Sequence, residues 1–256
     1  MIDVLEECGP MRRVAEVLFA RGWAEANAGN ISLRLGEVPG TLAGRSPSPA
    51  SIHESTVDMA DLVGDFFLIT ASGSRMREIA SDPRQGLCLV QVLDRRRMWL
   101  IDGPGPVSSE WATHAGLHTL FKESRCNERA VIHCHPLGLI ALSHLFASEK
   151  EMNDRLSRMQ HETRLFLPQM IGLIPYAVTG SKELAKASKE KLKRFRVALW
   201  DKHGVIASGR TLDEALDRIE VAEKAASVYL LLKSAGVEAE GLGDEQIAET
   251  LRAFKK

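Results

Sequence analysis

No stretch of the chain approaches the ~20 consecutive apolar residues that a helix needs to cross a bilayer, so no segment is expected to span a membrane. The opening residues, Met1-Ile2-Asp3-Val4-Leu5-Glu6-Glu7, are acidic and lack the basic start and apolar core of a secretory leader, which predicts a cytoplasmic location. Cysteine is scarce. Cys8, Cys88, Cys126 and Cys134 are scattered without paired spacing, which argues against a disulfide framework and for reduced thiols. Charge of one sign is missing too: 33 Lys and Arg against 34 Asp and Glu leave a formal net charge of -1. Neither nucleic acid nor a membrane surface is therefore an expected partner. No internal repeat is visible. What remains, with 45% apolar and 26% charged residues over 256 positions, is the composition of an ordinary globular protein.

The periodicities predict alternating helices and strands. A helix is expected from about Val4 to Trp23, with Gly22 as its stop signal, and Asn27-Ala28-Gly29-Asn30 forms a turn before the strand Ile31 to Leu35. Residues 36–55, rich in Gly, Pro, Ser and Thr, read as an irregular excursion. Strands follow at Phe66 to Thr70, Leu87 to Leu93 and Arg97 to Ile101, the last two joined by Asp94-Arg95-Arg96 and hence antiparallel. Ser108 is a plausible N-cap for a helix reaching Ser124. One further helix is expected from Leu137 to Phe146 and another from Met152 to Phe166. The last third carries an extended stretch at Ile171 to Tyr176, a helix from Ser181 to Arg194 and a buried strand at Val197 to Trp200. Thr211-Leu212-Asp213-Glu214 is a capping box opening a long helix, and residues 238–256 form a polar tail.

Three stretches invite chemistry. In Ala130-Val131-Ile132-His133-Cys134-His135-Pro136 the two histidines are two residues apart. Side chains alternate along a strand, so His133 and His135 face one way and Cys134 the other. Two imidazoles at a strand tip make half of a metal site, or simply two hydrogen-bonded strand histidines. Glu110, His114 and His118 recur every four residues on one helical face, but lack the Glu that directly follows the first His of a zinc-protease helix. His114 and His118 are accordingly read as residues that orient others rather than bind metal. The loop Ala71-Ser72-Gly73-Ser74-Arg75 after a strand suits an anion, although it lacks the Gly-Lys-Ser/Thr ending of a P-loop.

In order along the chain, Asn-x-Gly-Asn before a strand, Thr70-Ala71-Ser72-Gly73, Ser108-Ser109-Glu110, His133-Cys134-His135-Pro136 and Lys202-His203-Gly204 resemble the class II aldolase/adducin family, over roughly Gly22 to Leu232. Gly22-Trp23-Ala24-Glu25, Ser74-Arg75-Met76-Arg77, His161-Glu162-Thr163 and Gly172-Leu173-Ile174-Pro175-Tyr176 resemble its members that cleave L-rhamnulose 1-phosphate.

The resemblance implies a single-domain three-layer α/β/α fold with a mainly antiparallel central sheet, assembled as a homotetramer with the site between subunits. It implies Zn2+ held by His133, His135 and His203, and Glu110 as the carboxylate that moves the proton on the dihydroxyacetone phosphate carbon. Asn27, Gly29, Asn30, Ser72, Gly73, Ser108 and Ser109 match phosphate- and substrate-binding positions, and Glu162 matches an acidic residue acting from the adjacent subunit. The implied reaction is zinc-assisted cleavage of a ketose 1-phosphate through an enediolate. Members acting on L-fuculose 1-phosphate or dehydrating methylthioribulose 1-phosphate share the histidines, which therefore do not separate these activities. An adducin-like interaction module would need neither the histidines nor Glu110. Ala28 stands where a second Gly is common, and Ser74 where Lys is usual, with Arg75 beside it as a possible substitute.

Overall fold

The computed structural model describes residues 5–36 and 46–254. In chain order, α1 (Cys8–Ala20) leads to β1 (Asn30–Arg34), the short β2 (Ile52–Glu54), β3 (Phe66–Thr70), α2 (Met76–Ser81), β4 (Leu87–Val92) and β5 (Arg97–Asp102). Then come α3 (Trp111–Glu123), β6 (Ala130–Cys134), α4 (Leu137–Leu145), α5 (Glu149–Leu156), α6 (His161–Phe166) and β7 (Ile171–Ile174). The chain closes with α7 (Lys182–Leu192), β8 (Val197–Trp200), β9 (Gly204–Gly209), α8 (Leu212–Ser234) and α9 (Asp244–Ala253).

The strands form one nine-stranded sheet in the order β2-β5-β4-β3-β1-β6-β9-β8-β7. Every neighbouring pair is antiparallel except β7–β8. Strand alternation sorts the central side chains onto two faces. Ile31, Leu33, Ile132, Cys134, Val205 and Ala207 share a cluster with buried residues of α1, α2, α4, α5 and α8. Val131, Ala198, Trp200 and Ile206 join α3 and α7 on the opposite face, where Phe67, Ile69 and Val90 also pack against Trp111 and Ala115. The expected three layers, helices on both sides of a mainly antiparallel sheet, are thus present.

Several boundaries differ from expectation. The first helix stops at Ala20 rather than Trp23, because Gly22 adopts φ +68° and the Trp23 N–H turns back to Leu18 O. Its expected start at Val4 lies outside the described residues, as do residues 37–45 of the excursion. The end of that stretch is not irregular: Ile52–Glu54 pairs with β5 as an edge strand. The stretch from Met152 to Phe166 is two helices, α5 and α6, not one. Ser108 does not cap α3; Glu110 holds the N-cap position. The Ser108 N–H is tied to Thr70 O at the end of β3, the helix starts two residues later than expected, and the Ser108 hydroxyl accepts from the Glu110 N–H instead. Ser181 and Thr211 do cap α7 and α8 as read. The side chain of Glu214 reaches the Arg210 N–H, one residue short of a reciprocal capping box.

Candidate metal and carboxylate centre

Sheet register builds the site. Asn30 opens β1 directly opposite His133 on β6, and β9 lies on the other side of β6. The tight β8–β9 return carries His203 over the end of β6. Gly204 is needed for that approach: a Cβ there would lie 2.5 Å from Cys134 O and 2.7 Å from His135 Cδ2. Gly29, at φ +78°, likewise brings the Asn turn against the backbone of His133, where a Cβ would sit 3.0 Å from its carbonyl.

The ring centroids of His133, His135 and His203 lie 4.8–5.1 Å apart. One nitrogen from each falls within 4.8 Å of the other two. The second-nitrogen contacts decide which lone pairs are free. His133 Nδ1 donates to Val205 O at 3.0 Å, and His135 Nδ1 donates to Glu25 Oε1 at 2.8 Å. With Nδ1 donating, a neutral ring keeps its lone pair on Nε2, and these two nitrogens face one another at 3.2 Å. Two lone pairs at that distance want a cation between them. Burial, which disfavours the charged ring, brings the His133 pKa down to about 3 and lowers that of His203, so both are neutral and ready to ligate. Three imidazoles with room for an exogenous ligand suit a catalytic divalent metal.

Glu110 sits beside this cluster, 4% exposed, with Oε2 3.7 Å from His133 Nε2 and Oε1 4.0 Å from His203 Nε2. Asn30 Nδ2 donates to Oε2 at 2.9 Å, and the Thr179 hydroxyl donates to Oε1. Burial alone would raise the Glu110 pKa. The hydrogen bonds that Thr179 and Asn30 donate to the carboxylate favour its charged form and hold it below the usual carboxylate range. The carboxylate is ionised and fixed from both sides.

These groups line a cavity of about 370 Å3 together with Asn27, Gly29, Asn30, Ser72, Gly73, Ser108 and Ser109. Every sequence-read site residue except Glu162 is thus gathered in one place. Glu162 lies on α6, exposed and away from this cavity. The backbone refines the anion loop. The N–H groups of Ser72, Ser74 and Ser108 are occupied by Pro106 O, Ala71 O and Thr70 O. Those of Asn27, Gly29, Gly73 and Ser109 make no hydrogen bond to another described residue. The substitution of Arg75 for the usual Lys is not realised: its guanidinium lies 3.7 Å from Glu78, and it does not line the cavity.

Two functional partners escaped the sequence reading. Glu25 holds His135; it stood in the Gly22-Trp23-Ala24-Glu25 motif two residues before the Asn turn, but nothing there tied it to the histidine. Thr179 holds Glu110; the signal was Gly180, which adopts φ +70° and where a Cβ would sit 3.1 Å from Ser109 O. His114 and His118 are as expected: they touch Asn30 and Ser32, not the imidazole cluster.

Residues 11–230 match the family described as Class II Aldolase and Adducin N-terminal domain. The rhamnulose-1-phosphate aldolase of Bacteroides thetaiotaomicron is 31% identical over 253 residues, covering 97% of this chain and 94% of its own. That of Pectobacterium atrosepticum is 31% identical over 251 residues, covering 95% and 92%. Among solved structures, a sugar-phosphate aldolase from Thermotoga maritima superposes with a TM-score of 0.82 at 37% identity, covering 92% of this chain and 98% of its own.

Proposed function

The chain belongs to the class II aldolase and adducin family, and on that premise we propose that it cleaves L-rhamnulose 1-phosphate to dihydroxyacetone phosphate and L-lactaldehyde. That it is an aldehyde-lyase follows from the family and its relatives; the sugar and the use of Zn2+ are the proposal. One observation carries the reading: a buried, ionised carboxylate, Glu110, stands 3.7 Å from His133 in a cluster of three imidazoles able to hold a metal. An interaction module has no need of that arrangement.

His133, His135 and His203 would hold the metal, and Val205 O and Glu25 fix the orientation of two of the rings. When bound, Zn2+ supplies Lewis acidity toward the oxygens of the ketose around the bond to be cleaved. Gly29, Gly73 and Ser109, whose N–H groups are free, and the hydroxyl-bearing Ser72 and Ser109 all line the cavity and would supply the donors for the phosphate. As the C3–C4 bond breaks, L-lactaldehyde departs and C3 needs a proton. In the synthetic direction the ionised Glu110 removes that proton from C3; in cleavage the carboxylate first takes up the proton that the C4 hydroxyl loses and then passes it to C3. Because Asn30 and Thr179 both donate to the carboxylate, its oxygens are held at fixed positions relative to C3 throughout.

The proposal extends to the assembly. We infer a homotetramer in which Glu162 acts on the aldehyde half bound by a neighbouring copy. Leu137, two residues beyond His135, and Val178, next to Thr179, are 79% and 63% exposed, so apolar surface adjoins the site as a subunit contact requires. Among the described residues no helix is long and apolar enough to cross a membrane.

The test is a coupled assay for dihydroxyacetone phosphate released from L-rhamnulose 1-phosphate, beside L-fuculose 1-phosphate, with and without a chelator. Chelator-sensitive release favouring the rhamnulose ester is expected. Preference for the fuculose ester would move the substrate, and no release from either by metal-loaded protein would overturn the proposed reaction.

A further inference from the structure

Behind Glu110 a line of buried polar side chains runs into the core. Strand β1 offers Asn30 and Ser32 two residues apart, and α3 offers Glu110, His114 and His118 at steps of four. A two-residue strand step of about 6.7 Å runs alongside a four-residue helical step of about 6 Å, so the side chains of the two elements interleave. The contacts are short: Asn30 Nδ2 to Glu110 Oε2 at 2.9 Å, His114 Nε2 to Asn30 Oδ1 at 2.5 Å, Ser32 Oγ to His114 Nδ1 at 2.7 Å, and Ser32 Oγ to His118 Nε2 at 2.8 Å.

The direction of every bond follows from the first. A carboxylate only accepts, so Asn30 must turn its NH2 toward Glu110 and its carbonyl toward His114. His114 then donates from Nε2 and leaves a lone pair on Nδ1, which the Ser32 hydroxyl fills. Ser32 in turn accepts from His118 Nε2–H. The line ends at His118 Nδ1, a buried nitrogen with no hydrogen-bond partner among the described residues. Both rings are neutral: burial lowers the pKa of His114 to about 4 and that of His118 well below its usual value. Two fully buried histidines and an orphan acceptor are costly for a core whose neighbours Phe67 and Phe121 pack with apolar rings.

Resting on the aldolase reading above, we propose that His114 is a positioning residue for the proton-transferring carboxylate. By donating from Nε2 to Asn30 Oδ1 it prevents the amide from flipping, and so keeps the NH2 of Asn30 on Glu110. Ser32 and His118 act one step further back, fixing the tautomer of His114. The aldehyde half of the substrate plays no part in this, which makes the exchange of the C3 proton of dihydroxyacetone phosphate with solvent the reaction to watch.

The experiment follows that exchange in D2O by proton NMR, together with kcat and KM for cleavage and bound metal, for wild type, His114→Leu and His114→Gln. In His114→Leu, exchange and kcat are expected to fall together by about 10- to 100-fold with KM and metal content unchanged. His114→Gln keeps an N–H for Asn30 and should recover most of the loss. Wild-type exchange in metal-loaded His114→Leu, or a Gln variant no better than Leu, would overturn the proposal and leave His114 a packing residue. If His114→Leu does not fold, Ser32→Ala takes its place, since it releases the tautomer of His114; unchanged exchange there overturns the proposal equally. Wild-type protein that neither exchanges nor cleaves would instead bring down the aldolase reading, and the proposal with it.

Discussion

Gly204 is where the fold and the metal centre compete for the same space, and Gly204→Ala tests both. The added methyl carbon would stand 2.5 Å from Cys134 O, 2.7 Å from His135 Cδ2 and 3.0 Å from His133 Cε1. None of the three can retreat freely. Cys134 is held in the β6–β9 ladder opposite Val205, while the two rings are pinned through Nδ1 to Val205 O and Glu25. Either the β8–β9 return lifts away and takes His203 with it, or the rings swing and lose their orienting bonds. Overpacking of this kind costs about 1–3 kcal/mol. At ~2–4 °C per kcal/mol for a chain of this size, Tm should fall by about 2–12 °C. Metal affinity should weaken in parallel by about 10-fold or more, because the imidazole geometry is what moves. Calorimetry of the metal-free protein and a zinc titration against a competing chelator read the two effects separately. Gly116→Ala is the control: nothing lies within 4 Å of its Cβ position inside α3. There Ala should stabilise by up to about 1 kcal/mol through helix propensity, with metal binding untouched. A Gly204→Ala protein with wild-type Tm and wild-type zinc affinity would refute the close approach on which the centre depends.

Three further outcomes are expected. Glu25→Ala, which frees His135 Nδ1, should lower zinc affinity by about 10-fold, the small end of such effects because Glu25 is largely exposed; equal affinity in a competition titration would count against its orienting role. Glu162→Gln should slow cleavage without changing bound metal, and loss of zinc would remove Glu162 from its assigned place on the neighbouring copy. Acid should weaken the fold through His114. Its folded pKa of about 4 lies below the usual 6.5, so between those values the unfolded chain takes up a proton that the folded chain refuses, and stability falls as pH falls. Those 2.5 units amount to about 3 kcal/mol, and denaturant titrations at pH 7 and pH 4.5 should lose less in His114→Gln, which has no such proton to gain.

What the sequence made legible was periodic or punctuated. Phe66–Thr70 and Val197–Trp200 announce themselves as apolar strands, Ser181 and Thr211 as caps, and the two-residue spacing of His133 and His135 puts both rings on one side while Cys134 enters the opposite cluster. The edge strand Ile52–Glu54 was hidden because three residues carry no period and its neighbours are rich in turn formers. The break between α5 and α6 carries neither Gly nor Pro, so nothing local marked it. Within the site, the strand spacing pointed to His133 and His135, and the family resemblance of the ordered motifs added His203 and Glu110. They did not reveal Glu25, 110 positions from His135, or Thr179, 69 positions from Glu110, because such contacts are products of sheet register and loop closure rather than of spacing. The alignment of Asn30 and Ser32 with His114 and His118 required knowing that β1 lies against α3.

The most direct test of the central claim, three imidazoles around a catalytic metal with an open position, is X-ray absorption at the zinc edge of the purified protein. The account predicts about one zinc per chain, with three histidine nitrogens at ~2.0–2.1 Å and the remaining coordination filled by oxygen. A sulfur shell at ~2.3 Å, fewer than three imidazoles, or protein that takes up no zinc when it is supplied would contradict it.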